Sequence, residues 1–239
     1  MKSLAERKEY PASSGLDSRL VGIVSPRSRE AEQYRKLRYM VEVKKDPMQG
    51  IVVGITSPGP GDGKSTTATN LAGVLSQNSD NSVLLLDADI RRQAAFLKHA
   101  FKLKRVPGNG ISQAVGASSP NLAPFIKKIK DMNISIMFCG SPSEEPYEVF
   151  RSPAFIRILR KLRSQFDYVI VDTPPVSLAS ESQIICSLVD VVFVVVRAHH
   201  TRRILLGETL DTLGGETPIS LVFNNADESI GNYYGYYNW

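Results

Sequence analysis

A short run of glycine, lysine and hydroxyl residues has the composition and spacing of a phosphate-binding loop. It extends from Ser57 to Thr66 with the sequence SPGPGDGKST, between segments typical of a strand and of a helix. Backbone N–H groups in such a loop converge on an anion at the positive end of a helix. We expect Lys64 to contact the terminal phosphates of ATP and the Ser65 hydroxyl to ligate Mg²⁺. The predicted nucleotide contacts in the loop are Gly59, Pro60, Gly61, Asp62, Gly63, Lys64, Ser65 and Thr66.

The loop departs from the pattern G-x-x-x-x-G-K-[ST] at one position. Pro58 stands where the first glycine belongs, so the turn is expected one residue later, at Gly59. Gly61 and Gly63 let the main chain approach the phosphates without an intervening side chain. The charge of Lys64 is expected to face solvent in the empty loop, so a Lys64→Met chain should keep its fold.

Two further predicted strands each end in carboxylates. Asp87 and Asp89 follow the apolar segment 83–86, and Asp172 follows the segment 168–171. Each aspartate alone is as well explained as a helix cap. In a parallel sheet, however, all three lie beside the phosphate loop, where acids are unfavourable unless a divalent cation lies between them and the phosphates. We therefore expect Asp89 and Asp172, with Ser65, to hold Mg²⁺.

The elements that must position these residues alternate between strands and helices. Unbroken apolar, β-branched segments predict strands buried on both faces, as in parallel sheets. The prediction is a doubly wound, mostly parallel α/β sheet flanked by helices, with ligands at the carboxyl ends of the strands. Strands are expected at 51–56, 83–86, 134–138, 168–171, 191–196 and 219–223, and helices at 28–43, 64–77, 147–165 and 202–213.

Composition and charge narrow the class of protein. The 239 residues are 42% hydrophobic and 22% charged, which is ordinary for a globular chain, with Cys139 and Cys186 expected as buried thiols. The net charge of +5 would suit nucleic acid, but no nucleic-acid motif accompanies it, so no nucleic-acid partner is expected. The basic positions 157–163 recur at helical spacing and predict a solvated helix face. The longest apolar run is too short for a membrane span, so a cytoplasmic location is expected.

These motifs together resemble the bacterial tyrosine kinases that control capsule and exopolysaccharide export. The likeness covers the phosphate loop, the Asp-x-Asp-x-Arg segment at 87–91, the Asp-x-x-Pro segment at 172–175 and a Glu-x-x-Arg-x-x-Arg helix. It also covers a C-terminal tyrosine cluster, and it departs at Gln93, where relatives have proline. The resemblance divides the chain into a flexible N-terminal arm (1–27), a kinase domain (28–230) and a tyrosine-rich tail (231–239).

The resemblance implies a role for each further residue. Asp87 would accept the phenol proton, with Lys64 and Asp89 also catalytic, and Asn224 would contact adenine unless it is only a strand-end turn residue. The implied phosphoacceptors, which could also be an inert terminus, are Tyr233, Tyr234, Tyr236 and Tyr237. The implied oligomerisation residues, which could also form only an intrahelical ion pair, are Glu32, Arg35 and Arg38.

The resemblance also implies partners, and it leaves rivals open. The chain would form a homo-oligomeric ring and be recruited to the inner face of the membrane by the cytosolic tail of a polysaccharide co-polymerase. It could be a separate protein or an excised domain. One rival is a nucleotide-switched ATPase of the septum-positioning or DNA-partition kind, whose signature lysine is replaced here by Gly59. The other is a weakly catalytic regulatory subunit.

Overall fold

The computed structural model describes residues 15–91, 95–103, 108–117 and 121–226. Within these ranges the strands join into one sheet with the order β3-β4-β2-β5-β1-β6-β7. All neighbouring pairs are parallel except β3 and β4. The strands are β1 (Ile51–Thr56), β2 (Val83–Asp87), β3 (Ile126–Lys128), β4 (Ile134–Met137), β5 (Tyr168–Asp172), β6 (Val191–Arg197) and β7 (Ile219–Asn224). The predicted α/β class is confirmed.

Helices cover both faces of this sheet. The first group precedes β4 and comprises α1 (Val21–Val24), α2 (Arg29–Lys44), α3 (Lys64–Leu75), α4 (Ala95–Ala100) and α5 (Ile111–Gly116). The second group follows β4 and comprises α6 (Pro146–Arg151), α7 (Pro153–Gln165), α8 (Glu181–Ser187) and α9 (Arg203–Thr212). Because α3 connects β1 to β2 while α7 connects β4 to β5 in the opposite direction, right-handed crossovers place these two helices on opposite faces.

The central strands do not alternate between polar and apolar residues, because both of their faces lie in the core. Every residue of β1, β2 and β5 is buried, as expected for strands covered on both faces. The helix α3, which follows the phosphate loop, is buried over almost its whole circumference. None of the helices in the described ranges is long and apolar enough to cross a membrane. Both cysteines are buried free thiols, as predicted.

The predicted helix at 147–165 is wrong as a single element. The structure has two helices here, because α6 ends at Arg151 and α7 begins at Pro153. Ser152 between them is extended, and its hydroxyl accepts a hydrogen bond from the Phe155 N–H at 3.1 Å. The residue before a proline is disfavoured in the helical region, so Ser152 ends one helix and caps the next.

Residues 15–27, which the sequence assigned to a flexible arm, are folded onto the domain. Leu20 and Ile23 are buried in the core. Asn70 of α3 fastens this segment: its side-chain oxygen accepts from the Gly22 N–H at 2.8 Å, and its amide donates to the Arg19 carbonyl at 2.9 Å. The charged and proline-containing composition concealed this packing, in which Leu16 and Val24 also pack against the core. Residues 1–14 lie outside the described ranges.

Candidate active site

The phosphate loop connects β1 to α3 and adopts the conformation that its glycines allow. Gly61 and Gly63 have φ of +86° and +101°, in the left-handed region that favours glycine. A side chain at position 63 would also collide with Asn224, whose amide nitrogen lies 2.0 Å from the place of its Cβ. Gly59 is not among the residues with positive φ, although the chain bends there, and the left-handed conformations of the loop occur at Gly61 and Gly63.

Hydrogen bonds from two distant segments hold the loop in place. The Asp62 side chain turns inward: Oδ2 accepts from the Gly59 N–H at 2.9 Å, and Oδ1 accepts from the Thr201 hydroxyl at 2.8 Å. The Asn224 amide donates to the Asp62 carbonyl oxygen at 2.9 Å. Asp62 therefore supports the loop with its carboxylate pointing into the protein, and Asn224 lies at the loop on the β7 side.

The predicted catalytic and metal residues meet around one cavity of about 350 Å³. Its polar side contains Lys64, Ser65, Asp87, Asp89 and Asp172. Asp87 and Asp172 are opposite each other in the register of β2 and β5, which explains why two distant motifs converge. The remaining lining residues are apolar and belong to α4.

Lys64 is already engaged within this cavity. Its Nζ lies 3.6 Å from Asp89 Oδ2 and 3.4 Å from Ser65 Oγ. The lysine is only 6% exposed. The expectation of a solvent-facing charge is therefore wrong: Lys64 pairs with an aspartate, because a buried ammonium needs a counter-charge.

Among the residues that line the cavity, three are carboxylates and one is a cation. Burial, and then the neighbouring Asp172 carboxylate, raise the pKa of Asp87 to about 8. Asp87 Oδ2 and Asp89 Oδ2 are buried and accept no hydrogen bond from the described residues. Oxygen atoms in this state fit Mg²⁺, which takes one or two carboxylates together with phosphates and waters. No group of three or more His, Cys, Asp and Glu in the described ranges forms a metal cage of its own.

Comparison with known proteins identifies the domain. The family model described as an AAA domain matches residues 51–203, which is more than half of the chain. The chain belongs to the AAA domain family. It is 29% identical over 232 residues to the tyrosine-protein kinase YwqD of Bacillus subtilis (strain 168), covering 94% of this chain and 93% of that protein.

Solved structures agree with this assignment of the AAA domain. The BceF tyrosine kinase domain has a TM-score of 0.73 and 27% identity, covering 87% of this chain and 83% of that one. The kinase domain of Escherichia coli tyrosine kinase ETK has a TM-score of 0.76 and 22% identity, covering 86% and 79%. A plasmid partition protein from Borrelia burgdorferi shares the fold with a lower TM-score of 0.55 and 20% identity, covering 77% and 86%. The predicted family, the bacterial tyrosine kinases, and with it the enzyme class are confirmed.

The predicted oligomerisation residues of α2 do not line the cavity. In α2, Arg35 contacts the Glu32 carboxylate and the Pro26 carbonyl. Arg38 Nε donates to Glu42 at 2.8 Å, and its guanidinium donates to the Val74 carbonyl at 3.1 Å. Both arginines thus have partners within the chain, which leaves an intersubunit role as a hypothesis. The four tail tyrosines lie outside the described residues.

Sequence reasoning missed several residues that support the site. Thr201 is 139 positions from the Asp62 that it contacts, and no local pattern links them. Arg91 donates to Glu181 at 2.7 Å and 3.3 Å, and the Glu181 side chain is 1% exposed. This ion pair, in which Glu181 is buried and Arg91 is exposed, connects the segment after Asp87 with α8, which follows Asp172. Arg91 is part of the Asp-x-Asp-x-Arg segment and was the available clue, but its partner could not be named.

Proposed function

We propose that the chain is an ATP-dependent tyrosine kinase that phosphorylates the C-terminal tyrosine cluster of another copy of itself. The observation on which this rests is the cavity in which Lys64 and Ser65 of the phosphate loop meet Asp87, Asp89 and Asp172. A phosphate loop alone is compatible with many ATPases. The added carboxylates, beside an apolar pocket wall, offer a place for an acceptor as well as for a nucleotide.

The residues around the loop fit ATP with Mg²⁺. Lys64 would exchange Asp89 for the terminal phosphates, which are a stronger counter-charge. Ser65, Asp89 and Asp172 would hold the metal, directly or through water. When bound, Mg²⁺ neutralises charge on the transferred phosphoryl group. Asn224, at the β7 side of the loop, is placed on the side where we expect adenine.

Phosphoryl transfer requires an acceptor in line with the leaving oxygen. In the proposed step, the tyrosine oxygen forms a bond to the γ-phosphorus, the bond to the β–γ bridging oxygen breaks, and ADP leaves. The phenol proton passes to Asp87, which lines the cavity at the end of β2, whereas Asn224 lies at the end of β7. Because a phenol titrates near pH 10, its proton is expected to leave late, so orientation by Asp87 matters as much as its basicity.

The position of β7 favours transfer between subunits. The first tail tyrosine, Tyr233, follows the end of β7 at Asn224 by nine positions (233 − 224). Such a segment spans roughly 30 Å when extended. It starts on the Asn224 side of the loop, whereas the acids lie on the β2 side, so entry into its own cavity would require a sharp reversal. A neighbouring copy offers an easier approach.

An oligomer would supply that neighbour. The Glu32 side chain is 58% exposed, and within the described ranges its recorded ion pair is with Arg35. Its carboxylate is therefore accessible to another copy. We propose that Glu32, Arg35 and Arg38 support a closed homo-oligomeric ring. Each phosphate added to the tail brings about −1.5 to −2 charges, so phosphorylation would loosen the ring.

The proposed cellular role follows from the family. The kinase would regulate capsular or exopolysaccharide synthesis or export, from the cytoplasmic face of the membrane. The cytosolic tail of a membrane co-polymerase would recruit and activate it. Gly59 replaces the lysine expected of a septum-positioning or partition ATPase, and it donates its N–H to Asp62 instead. That difference favours the kinase over the ATPase.

Mixing two variants tests the proposal. The donor is a chain whose four tail tyrosines are phenylalanine, and the acceptor is a Lys64→Met/Asp89→Asn chain that cannot transfer phosphate. Incubation with Mg-ATP followed by intact-mass and peptide analysis should show phosphate on the acceptor's tail tyrosines. The yield of phosphorylated acceptor should rise with protein concentration. It should fall when Glu32→Ala is introduced into both the acceptor and the donor.

Either of two results would contradict the proposal. Phosphorylation of wild type that does not depend on concentration, with no labelling of the mixed acceptor, would place transfer within one chain. ATP hydrolysis without any phosphotyrosine would favour a nucleotide-switched ATPase or a regulatory subunit. A Lys130→Ala donor, altered at an exposed lysine outside the cavity, is the control for non-specific effects of substitution.

A further inference from the structure

The cavity beside the phosphate loop has two chemically different sides. One is built from the lysine, serine and aspartates of the nucleotide site, and the other from Ala95, Phe96 and Leu97 of α4. Leu97 is buried beneath the surface, whereas Phe96 is half-buried and Ala95 exposed. The proposed phosphate and metal contacts do not use this apolar side. A ligand that fills the cavity must therefore present something other than phosphate to α4.

The order of the strands indicates which substrate would approach from the side of α4. The phosphate loop follows β1, and Asn224 at the end of β7 contacts the loop from one direction. Asp87 at the end of β2, and α4 after it, lie in the other direction. A nucleotide with its base near Asn224 directs its terminal phosphate toward Asp87. In-line transfer then requires the acceptor to enter beyond that phosphate, on the side of α4.

The N-terminal segment holds Phe96 in position. The Arg19 guanidinium lies over the Phe96 ring, with its carbon 5.2 Å from the ring centroid. Asp17 orients that guanidinium by accepting hydrogen bonds at 3.0 Å and 2.6 Å. The Asp17 N–H also donates to the Ala100 carbonyl at the end of α4, at 3.1 Å. This segment therefore fixes both the ring and the helix that bears it.

We propose that α4 forms the acceptor subsite, in which the aromatic ring of the incoming tyrosine packs against Phe96. Arg19 acts as a positioning residue for Phe96. This inference rests on the proposed kinase function and deepens it by assigning the selection of an aromatic acceptor. Serine and threonine acceptors have no aromatic ring, so they would gain no contact with the Phe96 ring.

Steady-state kinetics with two varied substrates test the assignment. The enzyme is the donor with phenylalanine at its tail tyrosines, and the acceptor is the Lys64→Met/Asp89→Asn chain. Phe96→Ala should raise the KM for the acceptor about tenfold, the factor expected from one aromatic contact. Phe96→Tyr keeps a ring and should stay within about threefold. The KM for ATP should change less than twofold in both variants.

A second pair of variants tests positioning. Arg19→Met should raise the acceptor KM about two- to fivefold, as expected from one exposed cation–π contact, and Arg19→Lys should recover part of the loss. Phe125→Ala is the matched control, because Phe125 is also half-buried but lies in the short 3₁₀ segment (Ala123–Phe125) before β3. It should leave both KM values unchanged. Thermal unfolding and circular dichroism establish that each variant is folded.

The outcomes separate the subsite from the kinase assignment. An unchanged acceptor KM in Phe96→Ala, with normal transfer by wild type, would refute the subsite alone. Equal increases in the KM for acceptor and for ATP would refute it too, because Phe96 would then support the cavity as a whole. If wild type transfers no phosphate to tyrosine, the proposed function fails, and the subsite with it.

Discussion

Replacing Lys64 is expected to destabilise the protein as well as to abolish transfer. Lys64 Nζ lies 3.6 Å from Asp89 Oδ2, and both side chains are 7% exposed. Lys64→Met leaves the Asp89 oxygen buried, without its cation and without a hydrogen bond from the described residues. Breaking a buried pair by removing one partner costs about 3–5 kcal/mol. That is a large share of the roughly 5–15 kcal/mol that stabilises a typical domain.

A double-mutant cycle separates this effect from a simple loss of packing. Asp89→Asn removes the other charge, so Lys64→Met/Asp89→Asn leaves no unpaired ion between the two positions. The double variant should be more stable than the sum of the single effects predicts, with a coupling of about 1–3 kcal/mol. Lys130→Met is the control, since Lys130 is exposed and its loss should change stability by less than about 0.5 kcal/mol.

Urea unfolding in the absence of nucleotide and divalent cations is the appropriate assay. Under these conditions no nucleotide competes with Asp89 for Lys64, so the ion pair determines the contribution of this lysine to stability. The reasoning is refuted if Lys64→Met stays within 1 kcal/mol of wild type, or if the two substitutions are additive. Turnover is measured in parallel, and normal turnover by a folded Lys64→Met chain would contradict the phosphate-loop assignment.

Three further predictions concern other parts of the site and its support. Thr201→Val removes a hydroxyl that donates to Asp62 at 2.8 Å and accepts from the Arg197 N–H at 2.9 Å. It should weaken binding of a fluorescent ATP analogue about tenfold, while Thr201→Ser should bind normally. Equal affinities of Thr201→Val and wild type would contradict the role of Thr201 in supporting the loop. Asp172→Ala should reduce the Mg²⁺ dependence of ATP binding while Asp87→Ala should not, and transfer at the normal rate by Asp87→Ala would exclude its acceptor role. The Arg19 hydrogen bond lowers the pKa of Asp17 to about 2, so this carboxylate stabilises the fold above about pH 4 and loses that contribution as the pH falls toward 2. Asp17→Asn should therefore be less stable than wild type at pH 7 by about 1–2 kcal/mol, allowing for solvent screening at the half-exposed arginine. The difference in the free energy of unfolding, measured in urea, should shrink near pH 3. A difference that does not change with pH would contradict the stabilising role of the Asp17 carboxylate.

The fold and the phosphate loop were predictable from the sequence because both depend on local patterns. Continuous apolar segments form strands buried on two faces, and β1, β2 and β5 lie within one residue of their predicted bounds. Gly61 and Gly63 adopt positive φ because other residues would be strained there. The parallel topology then brings the strand ends together, so the meeting of Asp87 with Asp172 also followed from the order of motifs. The edge strand β3 was missed, because its three residues, two half-buried and one exposed, pair with β4 through the backbone and show no apolar pattern.

Side-chain partners were decided by tertiary structure alone. The sequence identified Lys64 and Asp89 as members of one site, but it could not show that they form an ion pair. The sequence placed Asp62 among the loop residues expected to contact the nucleotide, but it could not show that the Asp62 carboxylate accepts from Thr201, across 139 positions of chain. The polar N-terminal segment was assigned to an arm, although Arg19 covers the Phe96 ring at the cavity. Local composition determines which backbone conformations are favourable, whereas the pairing of buried charges and rings depends on which distant segments packing brings into contact.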